Sequence, residues 1–444
     1  MKVVVGVVVA VAAALLAMSV PARAEVRSEY LELKGWAEPN TPAEHNKVGV
    51  LRYWFEGKPA TAAAVFIPGN GGGAPSFDMI GRWLAENAGM EVWAVDRRSN
   101  LLEDHTATDQ ALKDGNIMKA GMYYMSGGFK EIKSGDVPYL KHWGLQTHLN
   151  DVAEVIKQIQ ARGIKDIFLG GHSLGAMMTQ CYAAYELPEG KAAYKDLRGL
   201  VLFDGSMPSQ VSGEYDKRIA EVEKQISDGV VFPADLPRGG VVSELIMIAA
   251  SLDPGGRSLI APFIQDMTKV TSPLTNLALF GVAIDTDYKF HALCRAGKLA
   301  AADADDPTAP VGWVAYDKCG EVTDAAALAK SLVNGRGAAE WYQPLALMLD
   351  MGKAAKAGLN LPEMGLKHEQ EMGLPVVAFM ANATSYEFAQ GVKAYAAAIK
   401  GKAEIHNIDP PGTYAHLDAL VAADAPQRVF TPLKEWMAGV LAGK

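Results

Sequence analysis

Two hydrophobic patterns alternate along the chain. Compact apolar runs, "TAAAVFIPG" (61–69), "MEVWAVDRR" (90–98), "KDIFLGG" (165–171) and "LRGLVLFDGS" (197–206), are short and dense in buried-type residues, so they predict strands covered on both faces. Between them "FDMIGRWLAENAG" carries Met79, Ile80, Trp83 and Leu84 at helical spacing. "THLNDVAEVIKQIQARG" does the same with Leu149, Val152, Val155, Ile156 and Ile159, and stops at Gly163. Ahead of these, "EYLELKGW" and "KVGVLRYWFEG" predict a lead-in hairpin. Buried strands alternating with amphipathic helices imply an α/β class with a mostly parallel, doubly wound sheet.

The alternation is interrupted twice. Residues from Ser99 to about Gln146 are irregular and glycine-rich, and are expected to lie over one end of the sheet. From Met207 to Met372 the pattern turns helical and loop-like, with "AAEWYQPLALMLDMGKAAKAG" (338–358) among its clearest predicted helices, then strands and helices resume with "GLPVVAFMANA", "SYEFAQGVKAYAAAIKG", "KAEIHNID" and "FTPLKEWMAGVLAG". A largely helical cap inserted after the sixth strand is the expected organisation. The domains are then a signal peptide at 1–24, a core in two parts at 25–206 and 373–444, and the cap at 207–372. The signal reading rests on Lys2, the apolar run from Val3 to about Val20, and Ala22-Arg23-Ala24 as a cleavage signal. It makes the mature chain secreted or periplasmic, with no transmembrane segment; the rival is an uncleaved anchor, since an apolar run of about eighteen residues is just long enough to span.

One junction carries chemistry. In "IFLGGHSLGAMMTQ" a buried strand meets a helix with no turn residues between, and Gly171-His172-Ser173-Leu174-Gly175 occupies the bend. Glycines at both ends remove side chains that would clash in so tight a turn, and the serine hydroxyl is left beside a helix N-terminus. A serine needs a base to act as a nucleophile. His416 in "GTYAHLDAL" follows the last predicted strand in a glycine-proline loop, while the other histidines lie in strands, helices or unrelated loops.

With this elbow and the serine-before-histidine order, the chain resembles the α/β-hydrolase superfamily over nearly all of its length outside the insertion. The resemblance implies Ser173 as nucleophile and His416 as base. The acid departs from the common pattern, since "PVVAFM" is followed by Ala381-Asn382-Ala383-Thr384-Ser385 with no carboxylate. Some members, pancreatic-type lipases among them, carry the acid one strand earlier, which here points to Asp204 in "LVLFDGS". Glu387, Asp409, Asp418 and a serine-histidine dyad without an acid are the alternatives. The loop "IPGNGGGAPS" follows the third strand, and the resemblance makes the amides of Asn70 and Leu174 the oxyanion donors, with Gly71 as alternative to Asn70.

Composition narrows the partners. The net charge of -9 provides no basic surface for nucleic acid, so a substrate-sized partner is expected, and the resemblance implies a small-molecule or lipid-like ester. The glycines lack a following Gly-Lys-Ser/Thr and do not form G-x-G-x-x-G, no cofactor is expected, and no H-E-x-x-H or paired C-x-x-C suggests a metal. Cys181 reads as a buried small hydrophobe, and Cys294 with Cys319 leaves a bridge open in an oxidising compartment. Met247, Met267, Met348, Met351, Trp341, Tyr342, Leu345 and Leu347 make the insertion apolar, for its own core or for substrate. Arg97, Arg98, Glu103 and Asp104 read as a structural ion-pair cluster, and Asp303, Asp305 and Asp306 as a solvated acidic turn. Carboxylic esters head the substrate classes. Amides, lactones and polyesters share the same expected residues, and a binding protein without the chemistry is the reading outside enzymes.

Overall fold

The computed structural model describes residues 25–315, 322–381, 386–408 and 414–443. Eight strands form one sheet: β1 (Val26–Lys34), β2 (Lys47–Phe55), β3 (Ala62–Ile67), β4 (Glu91–Asp96), β5 (Asp166–His172), β6 (Gly199–Phe203), β7 (Val376–Met380) and β8 (Ala403–Asn407). Their order is β1-β2-β4-β3-β5-β6-β7-β8. The hairpin β1–β2 and the β2–β4 pair are antiparallel, and every other pairing is parallel. All eight strands coincide with the apolar runs read above.

Alternate residues of the central strands feed two cores, because side chains switch faces at every step. Phe66, Phe168, Phe203 and Phe379 point to one face with the helix Asp78–Ala88. Val65, Leu169, Leu202 and Ala378 point to the other, against the helices Leu145–Ala161 and Leu174–Ala184. Central strands therefore read as continuous apolar runs, while β1 at the edge mixes exposed and half-buried positions.

The segment between β6 and β7 is largely helical, with Gly213–Ser227, Leu236–Leu252, Asn276–Ile284, Ala325–Leu332 and Leu345–Ala357, plus a two-stranded ribbon, Lys298–Leu299 with Trp313–Val314. Two expectations need correction. Residues 99–146 contain the helices Thr106–Asp114 and Met118–Met125, which bury little more than Thr108, Ala111 and Ala120, so no apolar stripe announces them. The stretch before Pro344 is not helical either: Ala339 bridges Gly72 and the Gly73 amide donates to the Ala338 carbonyl at 2.9 Å. A strand-like partner in the glycine loop overrides local helix propensity there.

Cys181 and Cys294 are buried free thiols, whereas Cys319 lies outside the described residues, as does the expected signal segment 1–24. Among the described residues no helix is long and apolar enough to cross a membrane.

Glycine content is tested best where the backbone closes up. A Cβ on Gly175 would fall 1.9 Å from the Ile67 carbonyl oxygen, so Gly175→Ala should lose roughly 1–3 kcal/mol or more of stability. Gly121→Ala, which meets nothing within 4 Å in a helix, should hold or raise the melting temperature. Thermal unfolding of both variants beside wild type checks the contrast.

Candidate active site

β5 delivers the backbone into Ser173, whose φ of 54° and ψ of -118° lie where non-glycine residues rarely sit. Such a conformation costs about 1–3 kcal/mol and persists only when the surroundings enforce it. They do so by contact. A Cβ on Gly171 would fall 2.2 Å from the Gly175 carbonyl carbon, and one on Gly205 would fall 2.4 Å from the Ser173 carbonyl oxygen. The Ser173 amide donates to Phe203 O at 3.0 Å, and the Ser173 carbonyl accepts from Ala176 and Met177 to begin the helix Leu174–Ala184. The side chain is left half-buried above the sheet, at a helix N-terminus.

Asp204 ends β6 in a second left-handed position, φ 40°, fully buried. Its amide donates to Phe379 O at 2.9 Å and its Oδ1 accepts from the Ala381 amide at 2.9 Å, so two backbone contacts from the end of β7 fix the carboxylate. Its Oδ2 lies 2.7 Å from His416 Nδ1. A carboxylate only accepts from a neutral imidazole, so Nδ1 carries the proton and Nε2 keeps its lone pair. His172, next to the serine in sequence, holds the same loop: its Nε2 donates to the His416 carbonyl at 2.9 Å and the two rings lie 4.4 Å apart. Burial, with the neighbouring His416 adding to it, lowers the His172 pKa to about 3, so that ring stays neutral.

Ser173, His172 and His416 line one cavity of about 440 Å³, together with Asn70 and Gly71. The far wall comes from the insertion, with Met247, Phe280, Ile284 and Leu293. Of the apolar insertion residues singled out from the sequence, only Met247 lines this cavity. Trp341, Tyr342, Leu347 and Met351 are buried in the packed cores, and Met267 is exposed.

The glycine loop is set by a buried arginine. Arg97 donates to the carbonyls of Pro68 (2.9 Å), Gly69 (2.8 Å) and Gly72 (2.9 Å), and pairs with Glu340 at 2.6 Å. In a trans peptide the N–H points opposite to the C=O, so the Asn70 amide faces away from the guanidinium. Among the described residues the amides of Asn70, Gly71 and Leu174 have no acceptor. Glu340 escaped the sequence reading because its stretch looked like an ordinary amphipathic helix. Arg98 pairs with Asp151 at 2.5 Å, Glu103 lies against His105, and Asp104 accepts from Tyr123, so the four do not pair with one another as expected, and both arginines draw their carboxylates from distant elements.

Of the alternative acids, Asp418 is engaged elsewhere: it accepts from the Ala415 amide (2.6 Å), the Arg295 amide (3.1 Å) and the Thr323 hydroxyl (2.6 Å). Burial raises its pKa to about 7. Glu387 belongs to the helix Tyr386–Ala398 with its side chain outside what is described, and Asp409 lies outside the described residues. Asp303 accepts from the amides of Asp305 and Asp306 in an exposed turn, as the sequence suggested.

Residues 64–342 match the family model described as Alpha/beta hydrolase family. No curated protein matches the sequence. A solved structure described as a putative lipase from Sulfolobus solfataricus is similar at 16% identity and a TM-score of 0.52, covering 93% of this chain and 94% of that one. At that identity the likeness shows the fold. A thermophilic esterase from Thermogutta terrifontis gives 12% identity and a TM-score of 0.42 over 93% of this chain and 99% of that one. A proline iminopeptidase from Mycobacterium smegmatis gives 13% and 0.40 over 94% and 100%.

Two measurements follow from this geometry. Arg97→Ala leaves Glu340 buried without its cation and should cost about 3–5 kcal/mol in urea unfolding, only part of it recovered when Glu340→Gln is added, because the Pro68, Gly69 and Gly72 carbonyls still lack their donor. His172 has a folded pKa of about 3, below its ordinary value near 6.5, so the unfolded chain takes up a proton first as pH falls. Its contribution to stability is complete above pH ~6.5 and declines by about 1.4 kcal/mol per pH unit toward pH ~3. His172→Gln should flatten the unfolding free energy against pH by that slope between pH ~6 and ~4.

Proposed function

The chain belongs to the alpha/beta hydrolase family, and from that premise we propose that it is an exported serine hydrolase of carboxylic esters. In this reading Ser173 is the nucleophile, His416 the base and then the acid, and Asp204 the carboxylate that orients the imidazole. The observation that carries it is the 2.7 Å contact of His416 Nδ1 with Asp204 Oδ2 beside the serine elbow.

His416 Nε2 takes the hydroxyl proton as Ser173 Oγ attacks the ester carbonyl carbon. The tetrahedral oxyanion is met by the amides of Leu174 and Asn70, with Gly71 the alternative to Asn70. Collapse breaks the bond to the alcohol oxygen, which leaves with the proton returned by His416. Water then enters the cycle with His416 again as base, attacks the acyl-serine and releases the acid. Asp204 stays ionised throughout and stabilises the imidazolium.

Ester chemistry is supported by the apolar wall of Met247, Phe280, Ile284 and Leu293 facing the serine, which suits an acyl chain. The insertion acts as the cap that supplies this wall. Export follows from the first 24 residues alone.

Hydrolysis of p-nitrophenyl esters from acetyl to palmitoyl tests the proposal. Wild type is expected to turn over one range of chain lengths, Ser173→Ala none, and Asp204→Asn about 10⁴-fold more slowly than wild type. Near-normal turnover by Asp204→Asn removes Asp204 from the role. Folded wild type that is inactive on every ester and unlabelled by a fluorophosphonate overturns the hydrolase reading in favour of a binding protein. Labelling without ester turnover redirects it to an amide, lactone or polymer.

A further inference from the structure

Three buried side chains from two parts of the chain converge beside Gly337. Glu103 follows β4, His105 precedes the helix Thr106–Asp114, and Glu244 comes from the middle of the helix Leu236–Leu252 in the insertion. They are 7%, 5% and 2% exposed. Glu103 Oε2 lies 2.9 Å from His105 Nε2, and Glu244 Oε2 lies 3.2 Å from His105 Nδ1. One ligand atom from each of the three falls within 4.8 Å of the other two.

Hydrogen bonding leaves this cluster incomplete. Glu244 Oε1 is buried and has no hydrogen-bond partner among the described residues. The backbone makes room for that atom, since a Cβ on Gly337 would fall 1.5 Å from it and 2.9 Å from His105 Cε1. A cavity of about 20 Å³ lined by His105, Glu244 and Gly337 adjoins the cluster, enough for roughly one water.

We propose that Glu103, His105 and Glu244 bind one divalent transition-metal cation of the zinc class, with a water in the adjoining cavity as a further ligand. One imidazole nitrogen with two carboxylates suits zinc, manganese or cobalt, whereas calcium takes six or more oxygens. The other oxygen of Glu103 accepts from the Trp341 amide at 2.6 Å, the kind of outer contact that orients a metal ligand. Through that contact the ion clamps the segment after β4, the helix Leu236–Leu252 and the strip carrying Glu340, which pairs with Arg97 behind the glycine loop. The role is structural and leaves the Ser173 chemistry as described.

The full chain, stripped with a chelator and re-equilibrated with zinc chloride, is expected to retain about one equivalent of zinc after gel filtration, measured by inductively coupled plasma mass spectrometry. Zinc should raise its melting temperature, and cobalt chloride should give a visible absorption band that zinc removes. Glu244→Gln should bind at least tenfold more weakly and lose the thermal shift. Retention of less than a tenth of an equivalent by wild type overturns the proposal, as does equal binding by Glu244→Gln. If Glu244→Gln does not fold, the wild-type stoichiometry and the cobalt band decide alone. None of these readouts uses ester hydrolysis, so failure here and failure of the hydrolase reading remain distinct.

Discussion

A guanidinium buried between the sheet and the insertion determines how the upper edge of the fold is built. Arg97 leaves β4 directly and finds the carbonyls of Pro68, Gly69 and Gly72 together with the carboxylate of Glu340. A charge so deep needs every partner, because losing one leaves the others desolvated and unpaired. The glycine loop thus cannot choose its own conformation. Its carbonyls turn inward to the cation, and the Asn70 amide, opposite the Gly69 carbonyl across a trans peptide, turns outward.

The opposite wall has an equivalent anchor. Asp418, two residues after His416, accepts from the Arg295 amide and the Thr323 hydroxyl of the insertion while also holding the Ala415 amide. The insertion therefore grips the sheet at the glycine loop and again at the histidine loop, and the serine elbow sits between these grips. The unusual φ of Ser173 and of Asp204 is enforced by close glycine contacts and strand-end hydrogen bonds, so the strain is distributed over elements that are themselves anchored.

Much of this was legible in the residues. The buried parallel strands are recoverable because they are uniformly apolar, the lead-in hairpin by its short β-type runs, and the bend at Ser173 because only glycine tolerates approaches near 2 Å. Ser173 and His416 line one cavity and His416 contacts Asp204, the residue to which the α/β-hydrolase resemblance, and not local context, pointed. What escaped is non-local. Glu340 looks like one more polar residue of a helix until Arg97, 243 positions away, is brought beside it. Glu103, His105 and Glu244 match no metal-ligand spacing, since Glu244 arrives from the insertion. The helices at 106–125 escaped for a different reason, as they bury small side chains whose periodicity is faint.

These anchors also constrain how substrate reaches the serine. Swinging the insertion away as one rigid lid would break the Arg97–Glu340 pair and strip Asp418 of Arg295 and Thr323, at about 3–5 kcal/mol for the buried ion pair alone. The helix Gly213–Ser227 is held differently: it buries no residue, and its contacts to Lys353 and Lys356 are exposed pairs worth about 0–1 kcal/mol each. Yet this loosely held helix contributes nothing to the cavity wall, to which Leu236–Leu252, Asn276–Ile284, Leu293, Leu328, Leu332 and the strip 338–340 contribute. The part that opens easily is thus not the part that covers the serine. Entry through the existing mouth, with adjustment of flexible side chains such as Met247, is the path that leaves both grips and the His416–Asp204 contact intact.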